Sequence, residues 1–399
     1  MKVTHCRLCN GKLSEPKINL GSTPLANEFL PNKINQDLFP LEVCVCELCQ
    51  HYQLNESVDP ERLFRHYVYV AGTSNVNVKH FRDYAEHMID KFKYELGSKV
   101  LDIASNDGTL LKHFKELGMQ VLGIDPAINL AEDANKNGIE TIPEFFTNSY
   151  ADTILEKYGK FDLITANNVF AHVPDLIGFT LGVRKLLNEQ GIFSFEVSYF
   201  LDVCNKTLFD TIYHEHTSYH TITPLIKFFK SHQMKICEVE YIPNHGGSIR
   251  IFVCHEAAKY PEIVDISKEN NLEEKVIKLQ QDILTLSATL NNSLKELHSF
   301  GKKIVIYGVP AKATTLIYGL KIDPKLIEFA VDDNQLKQNT FTPGTHIPVF
   351  NSSVLYEMIN DIDCLLILAW NFAESIITKC KEHGFNGTFI VPLPEYIKL

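Results

Sequence analysis

Between Phe209 and Thr221 the chain gathers His214, His216, His220, Tyr213, Tyr219 and Glu215 into one short segment. Each of these side chains needs a polar partner once buried, so the segment is poor core material. It is also too aromatic for an ordinary solvated loop. Two chemistries suit it: metal ligation through imidazoles, or acid–base work by groups that titrate near neutrality. The His214-Glu-His216 spacing, with His220, fits a histidine-bound metal of the cupin kind. Cupins, however, are all-β barrels, and the surrounding pattern is α/β.

A second set lies near the start of the chain. Cys6-Arg-Leu-Cys9 and Cys46-Glu-Leu-Cys49 form two C-x-x-C knuckles across a hairpin-rich spacer. Each knuckle turns two thiolates toward one ion, and two knuckles complete a tetrahedron. The expected ion is structural zinc, because four thiolates leave no open position for a catalytic water. Cys44 and His51 stand close enough to compete as ligands. Five of the ten cysteines precede residue 50, which favours metal over disulfides in a reducing compartment.

The elements that must position these groups read as α/β. Val100-Leu-Asp102-Ile-Ala104-Ser-Asn106-Asp107-Gly108 is a buried strand followed by a tight polar loop and a helix. Val121-Leu-Gly-Ile-Asp125 ends in a carboxylate about 20 residues on, the spacing at which doubly wound folds hold a ribose. The loop lacks G-x-G-x-x-G, which disfavours NAD. Asn106 and Asp107 suit a cofactor carrying an ammonium and a sulfonium. Strands at Phe161–Ala166 and Gly191–Val197 follow, with Asn167-Asn-Val-Phe-Ala-His172 after the first. A helix over Pro224–Gln233 and a hairpin across Asn244–Gly247 complete a class I methyltransferase pattern. The histidine-rich segment thereby falls at the carboxyl edge of the sheet. Tyr67 and Tyr69, two apart, fit the buried face of a strand, and a helix is expected from about Asn77 to Tyr94. Apolar residues recur at spacings of four and three from Leu272 to Leu297, predicting one long amphipathic helix that buttresses the domains rather than a dimer seam. Lys303–Gly308 then opens a second strand–loop–helix series, with Lys312 at a helix N-terminus placed to meet phosphate.

Three parts follow: a zinc-binding module over residues 1–70, a class I (Rossmann-like) methyltransferase domain over 71–258, and a long helix with a C-terminal Rossmann-like α/β domain over 259–399. The net charge of −11 argues against a nucleic-acid partner. No apolar run approaches the ~18–20 residues of a membrane span, and Met1–Cys6 lacks the apolar core of a signal peptide. A cytoplasmic monomer is the expectation.

Several motifs together resemble the S-adenosylmethionine-dependent sugar C-methyltransferases of deoxysugar biosynthesis. They are the paired knuckles, Tyr67-Val-Tyr69, Ser105-Asn-Asp-Gly-Thr-Leu-Leu111, Phe209-Asp-Thr-Ile-Tyr-His-Glu-His216, His245-Gly-Gly-Ser-Ile-Arg250, Gly308-Val-Pro-Ala-Lys312, Pro343-Gly-Thr-His-Ile-Pro348 and Leu368-Ala-Trp-Asn371. The resemblance implies His216 as catalytic base, with Glu215 and Tyr213 beside it and His172 and Tyr67 lining the same pocket. It places S-adenosylmethionine on Asp102, Ala104, Asn106, Asp107, Asp125 and Asn167, although the family usually has glycine where Ala104 stands. Lys312, Arg250 and Asn371 would contact the substrate, a nucleotide-linked 4-keto-6-deoxyhexose, most simply on thymidine diphosphate, methylated at C3. His214 and His220 would be scaffold. Other readings are a sugar O- or N-methyltransferase and a zinc-ribbon methyltransferase acting on RNA or protein.

Overall fold

The computed structural model describes every residue except Val68 and Ser74, together with the backbone but not the side chain of His245. Those parts of the Tyr67–Tyr69 segment and of the His-Gly-Gly motif lie outside the described residues.

The N-terminal strands β1 (Ile18–Thr23), β2 (Phe39–Val45) and β3 (Tyr52–Leu54) form an antiparallel meander. Ile18 and Leu20 alternate along β1, and with Leu41, Val43 and Val45 of β2 they give the sheet one apolar face. The meander continues into a central sheet of β4 (Lys99–Ile103), β5 (Gln120–Ile124), β6 (Thr141–Ile142), β7 (Phe161–Thr165) and β8 (Leu187–Ser198), all parallel. Their near-continuous apolar runs suit strands covered on both faces. The next strand, β9 (Ser218–Tyr219), leaves this sheet and pairs with β3, Tyr52 opposite Tyr219 and Gln53 opposite Ser218. Then β10 (Met234–Ile242) and β11 (Ser248–His255) return, β11 antiparallel to β8, giving the order β10-β11-β8-β7-β4-β5-β6. This is the class I methyltransferase topology expected from the strand pattern.

The C-terminal sheet comprises β12 (Ile304–Tyr307), β13 (Phe329–Val331), β14 (Thr340–Phe341), β15 (Pro348–Phe350), β16 (Cys364–Ile367), β17 (Thr388–Val391) and β18 (Ile397–Lys398). Its order is β14-β15-β13-β12-β16-β17-β18, parallel in the middle and antiparallel at both edges. The chain reverses direction across the sheet beside β12, where doubly wound folds open a ligand crevice.

The long helix, Leu272–Ser299, buries Val276, Leu279, Ile283, Leu290 and Leu294 in one core with Ile18, Phe200 and Ile306. Gln280 accepts from the Asn19 N–H, and Ser287 and Asn291 donate to the Leu320 carbonyl. The helix therefore ties N-terminal module to C-terminal sheet, as a buttress should. Among the described residues Tyr67 and Tyr69 belong to no strand, and Tyr69 is half exposed. The helix after it runs over Asn75–Phe92. No helix among the described residues is long and apolar enough to cross a membrane.

Candidate active site

The four cysteines converge. The Sγ atoms of Cys6, Cys9, Cys46 and Cys49 all lie within 4.8 Å of one another, with Cys6–Cys49 at 3.6 Å and Cys9–Cys46 at 3.5 Å. A tetrahedron with Zn–S of about 2.3 Å needs sulfurs roughly 3.8 Å apart, so the cage fits zinc. Backbone N–H groups of Leu8, Leu48 and Cys49 point at the sulfurs, as thiolates require. Cys44 stays outside the cage, its thiol pushed up to about 11 by burial. His51 is also outside, buried against the His220 ring. Among the described residues no histidine cluster converges on a metal.

The histidine-rich segment is buried, and its members separate. His214 bonds the Pro40 carbonyl and meets Phe39 edge-on. His220 bonds the Phe170 carbonyl and packs on that ring. Both are scaffold. His216 is different: its Nδ1 lies 2.7 Å from the Thr211 carbonyl, which can only accept, so Nδ1 carries the proton. Nε2 is left with its lone pair, 3.0 Å from the Tyr213 hydroxyl, which donates to it. Burial, reinforced by the nearby Glu215, holds the Tyr213 pKa well above its ordinary value, so it remains a donor. The His172 ring lies 4.8 Å from that of His216, and burial lowers its pKa to about 4. A neutral neighbour of this kind adds no repulsion when His216 takes a proton. Behind the pair lies a cavity of ≈ 20 Å³, about enough for one water.

Glu215 turns away from His216. Its carboxylate accepts from the Tyr67 hydroxyl at 2.7 Å and the Asn27 amide at 2.7 Å. Burial raises its pKa, while both bonds and the Lys337 ammonium oppose the rise. Tyr67 thus bonds Glu215, and the Glu215 carboxylate is taken up by Tyr67 and Asn27 rather than by the imidazole. Asn27 and Lys337 were not legible as site residues: no motif or periodicity marks either.

At the carboxyl edge of the central sheet the loop after β4 is tightly wound. Ala104 and Asn106 have φ of 56° and 55°, and Gly108 77°. Ala104 thus occupies the left-handed conformation that favours glycine. Asp102 is buried, bonded by Thr165, and raised to about 7 by desolvation. Asp125 accepts from the Asn106 and Ala127 N–H groups and anchors the loop. The Asn106 and Asp107 side chains, expected to meet the cofactor, make hydrogen bonds within the chain. Asn106 bonds the Tyr69 carbonyl and the Ala71 N–H, and Asp107 bonds the Gly72 N–H, so Tyr69, Ala71 and Gly72 form a strap over the loop. Asn129 bonds both backbone groups of Tyr67. Asn167 keeps both atoms of its buried carboxamide without a protein partner. That orphaned amide fits a cofactor with an amino-acid moiety.

Arg250 is a correction. Its guanidinium is buried, donates twice to Glu196 and once to Glu240, and lies 4.3 Å from the Tyr84 ring centroid. His80 completes the carboxylate of Glu196 from the helix Asn75–Phe92. Arg250 therefore clamps that helix to the sheet and has no donor aimed at a substrate.

In the C-terminal crevice Gly308 has φ of 82°, and a Cβ there would lie 2.3 Å from Ala369. This close approach sets the mouth between β12 and β16. Lys312 follows on the helix Ala311–Gly319, its Nζ buried without a hydrogen-bond partner, 5.7 Å from the Trp370 ring. The Trp370 indole donates to Asp210 across to the histidine-rich segment. Asp210 keeps its other oxygen unpaired. Lys337 donates to the Val309 carbonyl at the same mouth. Asn371 is exposed beside Trp370. The same helix reaches both other parts, Thr314 bonding Ala26 and Thr315 bonding Ile212.

Fold, cage and crevice define an S-adenosylmethionine-dependent methyltransferase with a structural zinc module. Family profiles match in the same order: a zinc binding domain over residues 6–64, a methyltransferase domain over 78–238 and a C-methyltransferase C-terminal domain over 243–394. The C-methyltransferase NovU of Streptomyces niveus is 33% identical over 98% of this chain and 96% of its own. The chain belongs to that C-methyltransferase family. A ubiquinone biosynthesis O-methyltransferase of Xanthomonas oryzae is 31% identical over only 28% of this chain and 45% of its own. Among solved structures, an S-adenosylmethionine-dependent methyltransferase from Clostridium acetobutylicum aligns with 45% of this chain and 93% of its own, at 16% identity and a TM-score of 0.37.

Proposed function

We propose that the chain methylates C3 of a nucleotide-linked 4-keto-6-deoxyhexose, on thymidine diphosphate, through a base-generated enolate, as a cytoplasmic monomer of deoxysugar biosynthesis. The observation that carries this is the Thr211–His216–Tyr213 arrangement, an imidazole whose tautomer is fixed with its lone pair beside a neutral phenol donor. A ketone at C4 acidifies the C3 hydrogen because the resulting carbanion is delocalised onto oxygen. Nε2 of His216 removes that proton, while Nδ1–H stays on the Thr211 carbonyl and stabilises the imidazolium. The Tyr213 hydroxyl turns from Nε2 to the forming enolate oxygen, the electrostatic role of an oxyanion donor. S-adenosylmethionine, when bound, supplies the electrophilic methyl group. Asp102 and Asn167 would hold its amino-acid end and Asp125 its ribose. The protein's remaining task is to hold the two carbons close and aligned.

Glu215, with Tyr67 and Asn27, offers acceptor and donor groups to the sugar. Lys312 and Lys337 supply positive charge for the diphosphate at the mouth of the C-terminal crevice; a buried ammonium without a partner is costly unless a ligand completes it. The test is solvent exchange. In deuterium oxide, without cofactor, the enzyme should wash deuterium into C3 of a nucleotide 4-ketosugar, and His216→Ala should not. No exchange by enzyme that transfers methyl groups to the same sugar would overturn the enolate route.

A further inference from the structure

The first cysteine knuckle carries more than ligands. Between Cys6 and Cys9 stands Arg7, 8% exposed, with no carboxylate within salt-bridge distance among the described residues. Its guanidinium is spent on backbone carbonyls instead: Leu54 at 2.7 Å, Thr217 at 3.3 Å and Glu56 at 3.4 Å. Its own N–H is held by Gln53, which also reaches back to the His5 carbonyl. A buried cation satisfied only by carbonyls keeps much of its desolvation cost. An apolar side chain of similar volume would be cheaper if packing were the only task.

Thr217 is what the guanidinium reaches, and it adjoins His216. Its carbonyl also accepts from the Leu54 N–H at 3.0 Å, next to the β3–β9 pairing. Its hydroxyl donates to the Ala171 carbonyl at 3.1 Å and the Val173 carbonyl at 3.4 Å, the residues on either side of His172. The Ser218 N–H adds a second bond to the Ala171 carbonyl. One residue thus joins the zinc knuckle, the segment that carries His216 just before β9 and the loop that carries His172.

We propose that Arg7 is a positioning residue: braced by the zinc cage, it sets the placement of the His216 and His172 imidazoles through Thr217. This rests on the reading of His216 as the base, with the His172 ring beside it. The cage makes the lever stiff, because two ligand sulfurs flank Arg7 in sequence. A misplacement of about 1 Å at a reacting centre can cost roughly 10²-fold in rate, so a modest relaxation at Thr217 is enough to matter.

The test uses the full-length zinc-loaded chain with Arg7→Met, Arg7→Lys, Thr217→Val and Thr217→Ser. Zinc content, KM for S-adenosylmethionine, kcat with a 4-ketosugar and the ¹⁵N NMR tautomer signature of His216 are measured for each. Arg7→Met should keep its zinc and its KM for the cofactor, lose at least about 10-fold in kcat, and convert His216 from a pure Nδ1–H form to a mixture. Arg7→Lys should recover part of the loss, since an ammonium reaches fewer of the carbonyls. Thr217→Val, which removes only the hydroxyl, should show the same split, and Thr217→Ser should restore it. Should Arg7→Met fail to fold, the two Thr217 variants decide. Wild-type kcat and an unshifted tautomer in zinc-loaded Arg7→Met, or in Thr217→Val, overturn the proposal. The tautomer is read without any substrate, so a failure of the 4-ketosugar reading shows as absent turnover in the wild type while the coupling is still judged by NMR.

Discussion

Tyr213→Phe separates orientation from catalysis at the centre of the site. Phenylalanine keeps the ring, whose centroid lies 4.2 Å from that of His216, and removes only the hydroxyl bonded to Nε2. The bond between Nδ1 and the Thr211 carbonyl survives, so the imidazole keeps its tautomer. Were the hydroxyl merely an orienting partner, the loss would be one neutral hydrogen bond, about 1 kcal/mol or roughly 5-fold. As donor to the enolate oxygen in a buried site, it is worth about 10²–10³-fold, or ~2.7–4 kcal/mol. Its raised pKa keeps it protonated throughout the neutral range, so the defect should not vary with pH there. The assay pairs deuterium wash-in at C3 without cofactor with methyl transfer in its presence. Both rates should fall together by about 10²–10³-fold, with little change in KM. A loss below about 5-fold refutes the enolate donor. Full-rate exchange with impaired methyl transfer refutes it too, by moving Tyr213 to the alkylation step.

Asp102, with a folded pKa of about 7 against an ordinary 3.8, keeps its proton in the folded chain between those values after the unfolded chain has lost it. Stability should therefore fall as pH rises from 3.8 to about 7 and level off above, by at most roughly 4 kcal/mol; urea titrations should show this slope removed in Asp102→Asn. Ala104→Gly should stabilise the fold by about 0.5–1 kcal/mol, because it relieves a left-handed alanine, and equilibrium unfolding measures it. Cys46→Ser should lose zinc, whose binding is worth about 10–16 kcal/mol in small modules, and open residues 1–60 to protease while 78–255 resist. Lys312→Met should leave the melting temperature unchanged or higher, since it removes an unpaired buried ammonium, yet raise KM for the nucleotide sugar at least about 10-fold; a normal KM counts against the diphosphate contact.

What could be read from residues alone was what rests on local pattern. Strand–loop–helix alternation, a four-and-three apolar repeat and two C-x-x-C turns each state their geometry within a few positions, so the class I sheet, the buttress helix and the cysteine cage were all legible. The motif Phe209–His216 marked His216 and Tyr213, whose contact spans only three residues. What pattern did not carry were the partners. Glu215 meets Asn27 across 188 residues and Tyr67 across 148, and Arg7 meets Thr217 across 210. Arg250, read as a substrate ligand, turned out to be consumed by Glu196 because two strands meet in register there. Asn106 and Asp107 were recognisable as a polar loop, but only the folded chain laid the strap over them. A side chain's type is written in the sequence; whether its hydrogen-bonding capacity remains for a ligand depends on which distant backbone arrives first. The histidine-rich segment shows the division plainly: its chemistry is local, while the sheet beside the cysteine cage holds it in place through the β3–β9 pairing and through Pro40, Asn27 and Arg7, all far away in sequence.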